Sequence, residues 1–208
     1  MIRTLHVVAV ECYNKLVQLT YRPRNPSTEG FFNAIINSMS VSHLFSIPIL
    51  ETEVDLNQII LGDGDEYYNG EVNWTYGKQQ CPESTYNYLY SIISPFLLEY
   101  DPYINFQFTD IWRNRYVATD YQGYHIHAQS QWSFIIYETV DSKTVLYNPA
   151  WLLIQNHMGV SKSMPCIHNI KLNAGSMVVF PSFIAHHVNN GNEGTTISGN
   201  IKLQYNGM

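Results

Sequence analysis

Residues 175–188 read GSMVVFPSFIAHHV, a run of branched and aromatic side chains that begins at a glycine and is interrupted by a proline. Val and Phe favour β-strands, whereas Gly and Pro favour the turns between them. Five further strand-like runs are NFQFTDIWRNRYV (105–117), QWSFIIYETV (131–140), KTVLYN (143–148), IHNIKL (167–172) and TTISGNIKLQY (195–205). Six such runs in about a hundred residues predict a mainly β domain, built as a sandwich or a barrel.

The composition fits one globular domain of this kind. The chain has 208 residues, of which 45% are hydrophobic and 13% are charged, so it can bury its own core and is neither a coiled coil nor a disordered tail. Its 16 Tyr, 9 Phe and 4 Trp favour β-structure over a helix bundle. The 11 Lys and Arg are scattered and outnumbered by 17 Asp and Glu, which excludes a nucleic-acid binder that works by neutralising phosphates.

Cysteine usage and hydropathy predict a cytoplasmic protein. Cys12, Cys81 and Cys166 are odd in number and far apart, so they suggest neither a disulfide framework nor a zinc site. No run approaches the ~20 consecutive apolar residues of a membrane span, and the N-terminal segment carries no recognisable export signal. We therefore expect neither a membrane nor a nucleic acid as partner. The oligomeric state cannot be deduced from the sequence.

The chain divides into an appendage and a domain. Residues 22–30 read RPRNPSTEG, which is typical of a loop, and Met39 directly precedes the first strand-like stretch. We predict an appendage over residues 1–38 and the β domain, with supporting helices, over residues 39–208. Residues 82–100 carry apolar side chains at three- and four-residue steps, which predicts an amphipathic helix packed against a sheet.

A long polar loop is the predicted substrate wall. Residues 62–77 read GDGDEYYNGEVNWTYG, and long loops in compact domains often act as lids or binding loops. The loop is rich in Gly, Asp and Asn but also carries aromatic rings that could cover a site. We predict substrate contacts for Tyr67, Tyr68, Trp74 and Tyr76.

Four of the eight histidines fall in two pairs, His125 with His127 and His186 with His187. Side chains two apart on a strand point to the same face, so the first pair can reach one point inside a barrel. Adjacent side chains point oppositely, so only one member of the second pair can join them. Two ligands from one strand and one from a distant strand would leave metal positions open, as non-haem iron enzymes require. The alternative is that these are ordinary surface or core histidines.

Three blocks of the sequence resemble the 2-oxoglutarate and iron(II)-dependent oxygenases of bacteria and marine phages. The blocks are HIHAQSQWSFIIY (125–137), LYNP (146–149) and GSMVVFPSFIAHHV (175–188), and the resemblance runs from about residue 44 to residue 203. It implies a double-stranded β-helix, the jelly-roll or cupin-like barrel of the prolyl-hydroxylase-like superfamily, with helices on one face. It also implies a dioxygenase that hydroxylates an amino-acid, peptidyl or small-metabolite substrate.

The resemblance implies a metal site with an unusual third ligand. Iron(II) would be bound by His125, His127 and His186. Of the adjacent pair, His186 is the implied ligand because it follows the family's F-P-S-x-x-x pattern. His187 would then be its outward-facing neighbour. The wider superfamily has an aspartate where this chain has His127, so the usual carboxylate is missing. Either three histidines bind the metal, or Gln129 or water completes the site.

The cosubstrate site departs from the family as well. Residues 112–116, WRNRY, are similar to the N-R-Y strand of the alkylation-repair demethylases, which implies that Asn114 and Tyr116 hold 2-oxoglutarate. The family's last strand begins with an arginine that resembles the clamp on the distal carboxylate of 2-oxoglutarate, a role that suits the planar guanidinium. The alignment places Gly194 at that position, so the clamp is missing.

Strand alternation limits what could replace the arginine. Thr196, Ser198, Asn200 and Lys202 share one face of the last strand, and the opposite face is mostly apolar. If the polar face points into the barrel, Lys202 or the hydroxyls of Thr196 and Ser198 could hold the carboxylate. If it points outward, the anchor is absent, and a solvated outer face is the commoner arrangement for such a strand.

The two departures leave alternative functions open. A jelly-roll module could recognise a ligand or partner without redox chemistry. A three-histidine dioxygenase could use O2 without 2-oxoglutarate, as cupin-type enzymes do. The leading hypothesis from the resemblance remains an iron(II) and 2-oxoglutarate-dependent hydroxylase.

Overall fold

The computed structural model describes residues 46–62, 64–75, 81–100, 102–158 and 165–204. The predicted appendage over residues 1–38 lies outside the described residues, as do Met39 and Tyr76. The boundary between appendage and domain therefore stays a prediction.

Eleven strands, two α-helices and one short 3-10 helix make up the described part of the chain. In chain order they are β1 (Leu50–Glu53), the 3-10 helix (Leu56–Gln58), β2 (Glu66–Tyr68), β3 (Asn73–Thr75), α1 (Glu83–Tyr100), β4 (Asn105–Tyr116), β5 (Gln122–His125), β6 (Trp132–Tyr137), β7 (Thr144–Tyr147), α2 (Trp151–Met158), β8 (Ile167–Asn169), β9 (Ser176–Pro181), β10 (His186–Val188) and β11 (Gly194–Gln204).

The strands form two antiparallel sheets. The larger has the order β1-β9-β6-β11-β4-β3-β2 and the smaller has the order β5-β10-β7-β8. From β4 onward the chain crosses repeatedly between them, so that β4, β6, β9 and β11 face β5, β7, β8 and β10. This is the strand order of a jelly roll, and it confirms the predicted double-stranded β-helix. The hydrogen bond from the Tyr137 hydroxyl on β6 to Thr144 Oγ1 on β7, at 3.0 Å, links the two sheets.

Alternating side chains of the larger sheet fill two separate cores. On β6, Phe134 and Ile136 pack in one cluster, whereas Ile135 and Tyr137 pack in another. The period of two sends neighbouring side chains to opposite faces, and an unbroken apolar run results when both faces are buried. The first cluster also contains Leu89, Ile93 and Leu97 of α1, spaced at i, i+4 and i+8. The amphipathic helix is therefore confirmed, and it covers the outer face of the sheet.

The polar face of β11 points into the barrel, which corrects the expectation of a solvated outer face. Ile197 and Ile201 pack in the cluster with α1, while Thr196 and Ser198 are buried on the other side. The helix covers the outer face and takes the apolar side chains, so the hydroxyls line the interior. None of the described helices is long and apolar enough to cross a membrane.

Candidate metal centre

Three histidines meet at one end of the smaller sheet. His125 is the last residue of β5 and His186 is the first residue of β10, and the two face each other across the strand pair. Their ring centroids are 4.2 Å apart. The ring centroid of His127 lies 5.3 Å from that of His125 and 5.2 Å from that of His186. One ring nitrogen from each residue lies within 4.8 Å of the other two. The structure thus brings together all three predicted ligands.

His127 reaches this point by a different route from the predicted one. Strand β5 ends at His125, so His127 lies in the following loop and strand alternation does not place it. Its backbone N–H donates to the Ser182 carbonyl at 3.1 Å. Its ring is stacked on Trp112, with centroids 5.7 Å apart and an interplanar angle of 23°. The Nδ1 atom lies 2.6 Å from Asn200 Oδ1.

Hydrogen bonds fix how each imidazole is presented. His125 Nδ1 lies 2.7 Å from the Gly123 carbonyl oxygen, and His186 Nδ1 lies 3.1 Å from that of Ile184. A carbonyl oxygen only accepts, so both rings carry their proton on Nδ1 and leave the Nε2 lone pair open. The Asn200 amide oxygen does the same for His127. Metal-binding histidines in proteins are typically held in this way.

Burial keeps the rings of His127 and His186 neutral. His186 is 3% exposed, and desolvation, reinforced by the neighbouring His125, lowers its pKa to about 3. Desolvation also lowers the pKa of His127, and this effect is only partly offset by its bond to Asn200. Both rings are thus neutral at pH 7, the state in which imidazole binds a metal.

The donor set fits a divalent transition metal. Three imidazoles with hydrogen-bonded Nδ1 atoms suit iron, copper, nickel or zinc. No carboxylate of the described residues joins the three-histidine group. The group supplies three ligands and leaves further coordination positions open.

His187 points away from this group, as strand alternation predicts. Its Nε2 lies 3.0 Å from Asn189 Oδ1, and its ring packs beside Tyr147 with centroids 5.5 Å apart. It is less buried than His186. The two neighbouring histidines therefore have different surroundings.

An outer cavity of about 840 Å³ opens beside His125 and His127. Its lining combines charged, amide, hydroxyl and aromatic groups, and the charged ones are Glu71, Asp110 and Lys202. Within the described part of the chain, Lys202 is the one Lys or Arg in this lining, and it has no ion-pair partner there. Such a cavity is large enough for a small-molecule ligand.

A much smaller inner cavity of about 10 Å³ lies between the two sheets. Tyr116, Thr196 and Ser198 contribute to its lining, which includes no Lys or Arg of the described residues. Asn114 lies behind the hydroxyls, and its Nδ2 donates to Thr196 Oγ1 at 3.2 Å and to Ser198 Oγ at 3.1 Å. The Tyr116 hydroxyl donates to Gln122 Oε1 at 2.8 Å, and burial raises its pKa. Four of the five predicted cosubstrate residues thus form one polar group inside the barrel, whereas Lys202 lines the outer cavity.

The position that aligns with the family's arginine has no space for a side chain. Gly194 has a φ of +145°, which favours glycine. A Cβ atom built there would collide with the side chain of Thr139 and would lie 2.8 Å from Val140 Cγ1. The backbone conformation at this position therefore disfavours an arginine, or any other residue with a Cβ atom.

Of the predicted aromatic wall, the described side chains of Tyr67 and Tyr68 do not line the outer cavity. Tyr67 and Tyr68 lie on β2 and are 51% and 62% exposed, and neither contributes to the lining. Trp74 is on β3, and Tyr76 is outside the described residues. The same segment contributes Asn69 and Glu71 instead. Substrate contact by the four aromatic residues therefore stays a prediction.

Sequence reasoning missed several residues around the histidines. Trp112 and Asn200 contact His127 directly. Glu71 Oε2 accepts the Gly123 N–H at 2.9 Å, and the carbonyl of the same glycine holds His125. The position of Asn200 on the polar face of β11 was the only available signal for it. Glu71 lies in the predicted binding loop, but nothing in the sequence indicated that it contacts β5.

Comparison with known proteins supports the class of this site. Residues 110–198 match the protein family described as "Putative 2OG-Fe(II) oxygenase". This stretch contains the three histidines and the polar group on β4 and β11. Over these residues, the jelly-roll domain is similar to the 2OG-Fe(II) oxygenases. It is the domain of an enzyme that uses iron(II) and the cosubstrate 2-oxoglutarate, and that acts on a small-molecule or peptide substrate.

Solved structures of similar proteins have low sequence identity. An oxidoreductase of the 2OG-Fe(II) oxygenase family from Burkholderia pseudomallei is 13% identical, with 83% of this chain and 76% of that chain covered and a TM-score of 0.44. A viral collagen prolyl hydroxylase from Paramecium bursaria Chlorella virus-1 is 12% identical, with 63% and 79% covered and a TM-score of 0.43. A Pseudomonas putida prolyl-4-hydroxylase is 18% identical, with 63% and 67% covered and a TM-score of 0.39. No curated protein matches the chain.

Proposed function

We propose that His125, His127 and His186 bind the catalytic iron(II) through their Nε2 atoms. The observation that carries this proposal is the common orientation of the rings, since each Nδ1 is hydrogen-bonded to an oxygen and the ring nitrogens converge to within 4.8 Å. Three neutral ligands leave the full charge of the metal uncompensated. An anionic cosubstrate is therefore attracted more strongly than at a site with one carboxylate ligand.

The cosubstrate is proposed to bind between the inner and outer cavities. Thr196 and Ser198 present hydroxyls on the barrel side of β11, and Asn114 holds both in place. Tyr116 contributes a further hydroxyl from β4. Lys202 lies on the same face of β11. Among the described residues, it is the one Lys or Arg that lines the outer cavity. These five side chains take the place of the arginine clamp.

The substrate is proposed to enter through the outer cavity. When bound, iron(II) and 2-oxoglutarate activate O2 for hydroxylation of a C–H bond. The chain's own task is to hold the substrate over the histidines and to keep competing water away. Amide, hydroxyl and charged groups in the lining suit an amino-acid, peptidyl or other polar metabolite.

We also propose that the protein is cytoplasmic and does not bind nucleic acid. Cys81 and Cys166 are free thiols in the described part of the chain, which fits a reducing, cytoplasmic environment. The excess of acidic residues fits a protein that does not bind nucleic acid.

Anaerobic titration tests the proposal. Iron(II) is added to metal-free protein, followed by 2-oxoglutarate, and the absorption spectrum is recorded. We expect one iron per chain and a metal-to-ligand charge-transfer band when the cosubstrate chelates the metal, followed by formation of succinate when O2 is admitted. Metal binding with O2 consumption that ignores 2-oxoglutarate would indicate the three-histidine dioxygenase instead. Absence of metal binding would contradict the proposal and favour a non-catalytic module.

A further inference from the structure

We infer that Asn200 is the positioning residue that makes His127 a metal ligand in place of a carboxylate. The inference rests on the proposed metal site and goes beyond it, because it assigns the third ligand's orientation to one side chain. His127 differs from the other two histidines in lying outside a strand. Its ring therefore depends on neighbouring side chains.

Stacking on Trp112 fixes the plane of the ring but not its orientation. The 23° angle and 5.7 Å centroid distance define one face of the His127 imidazole. The terminal torsion of a histidine has two broad, roughly opposite minima, and a half-turn preserves the stack. The same half-turn exchanges the position of Nε2 with that of Cε1. A second contact must therefore select the orientation in which Nε2 faces the other histidines.

The hydrogen bond to Asn200 is that second contact. At 2.6 Å between Nδ1 and Oδ1, it holds the Nδ1 edge of the ring against β11. It also fixes the proton on Nδ1, because the amide oxygen only accepts. The Nε2 lone pair is thereby left for the metal.

Two serines keep the amide oxygen in place. Ser133 Oγ donates to Asn200 Oδ1 at 3.2 Å, and Ser133 Oγ and Ser182 Oγ are 2.7 Å apart. Both serines are buried. When Ser182 donates to Ser133, the hydrogen bonds from Ser182 through Ser133 and the one from His127 Nδ1 both lead to Asn200 Oδ1. The Ser182 carbonyl also accepts the backbone N–H of His127, so ring and backbone are tied to one buried network.

The inference is tested by cobalt(II) binding, with affinity and the d–d absorption spectrum as readouts. Asn200→Ala removes the acceptor, and we expect about 10- to 100-fold weaker binding with an altered spectrum, the usual cost of losing a hydrogen-bond partner behind a ligand. Asn200→Asp keeps an oxygen acceptor and should restore binding to within about threefold of wild type. Ser133→Ala should cause a smaller loss of a few fold.

Gln204→Ala is the matched control, because it removes an exposed amide from the same strand. It should leave cobalt affinity and spectrum unchanged. Thermal unfolding of each metal-free variant establishes that it is folded. Wild-type affinity and spectrum in Asn200→Ala would overturn the inference, and so would equal loss in the Ala and Asp variants. If the wild-type protein bound no cobalt, the proposed metal site itself would fail, which is a distinct result.

Discussion

His125 and His186 are held by main-chain oxygens, whereas His127 is held by side chains. The first two lie opposite each other on β5 and β10, and their Nδ1 atoms contact carbonyls of Gly123 and Ile184. A main-chain acceptor remains when the side chain of its residue is changed, but a side-chain acceptor is lost. Two ligands should therefore tolerate changes around them, and the third should not. The difference shows where the unusual ligand of this site is vulnerable.

The largest effect is expected from removing a strand ligand itself. His186→Ala should weaken cobalt(II) or iron(II) binding by more than about 100-fold, because a site with only two protein ligands is weak. Isothermal titration under anaerobic conditions measures the affinity. Retained tight binding in this variant would show that the metal lies elsewhere.

The buried His186 should also make the stability of the metal-free protein sensitive to acid. The pKa of His186 is lowered to about 3 in the fold from an ordinary value of 6.5, so the unfolded chain binds more protons between these values. Stability should therefore fall as the pH decreases from about 6.5 toward 3. Urea unfolding at several pH values measures this decline. His186→Ala should show a shallower decline, and an identical slope in both proteins would argue against a buried neutral imidazole.

A smaller loss of metal affinity is expected when the support of His127 is changed. Trp112→Leu removes the ring on which His127 is stacked and should weaken metal binding about tenfold, the lower end of effects from residues behind a ligand. Tyr147→Leu is the matched control, since Tyr147 packs beside His187 and not beside a ligand. Equal losses in the two variants would mean that the effect comes from general destabilisation.

A smaller effect is expected at a main-chain-held ligand. Glu71→Ala removes the acceptor of the Gly123 N–H but leaves the Gly123 carbonyl that holds His125. We expect metal affinity to change by less than about threefold, well below the usual effect of losing a direct hydrogen-bond partner. A tenfold loss would remove the distinction between the two kinds of support.

The smallest effect is expected at the outward neighbour of His186. His187→Ala should change the free energy of unfolding by no more than about 0.5 kcal/mol, typical of positions away from the core. Metal affinity should be unchanged, because the ring bonds to Asn189 and not to the cluster. Loss of metal binding here, with retention in His186→Ala, would reverse the assignment of the pair.

Patterns local in sequence predicted much of this molecule. Strand-like runs and turn residues anticipated β4, β6, β7, β8, β9 and β11, and helical spacing anticipated α1. The family resemblance supplied the barrel and the three histidines. These features are encoded by neighbouring residues, so a single sequence reveals them.

Contacts between distant residues were not predictable in the same way. His127 was expected to share a strand with His125, but it is positioned by Asn200, which is 73 residues away. The polar face of β11 was expected to favour solvent, because the sequence does not say which face a helix will cover. Glu71 reaches Gly123 across 52 residues. Such pairs follow from the tertiary fold and not from local periodicity.

We propose a metal site of three histidines in which the ring of His127 is held only by side chains. A crystal structure of the protein loaded anaerobically with iron(II), with an anomalous difference map at the iron edge, tests it most directly. We predict a single iron bonded to the Nε2 atoms of His125, His127 and His186, with His127 Nδ1 still on Asn200. An iron bound by only two of these histidines, or completed by a protein carboxylate, would contradict this account.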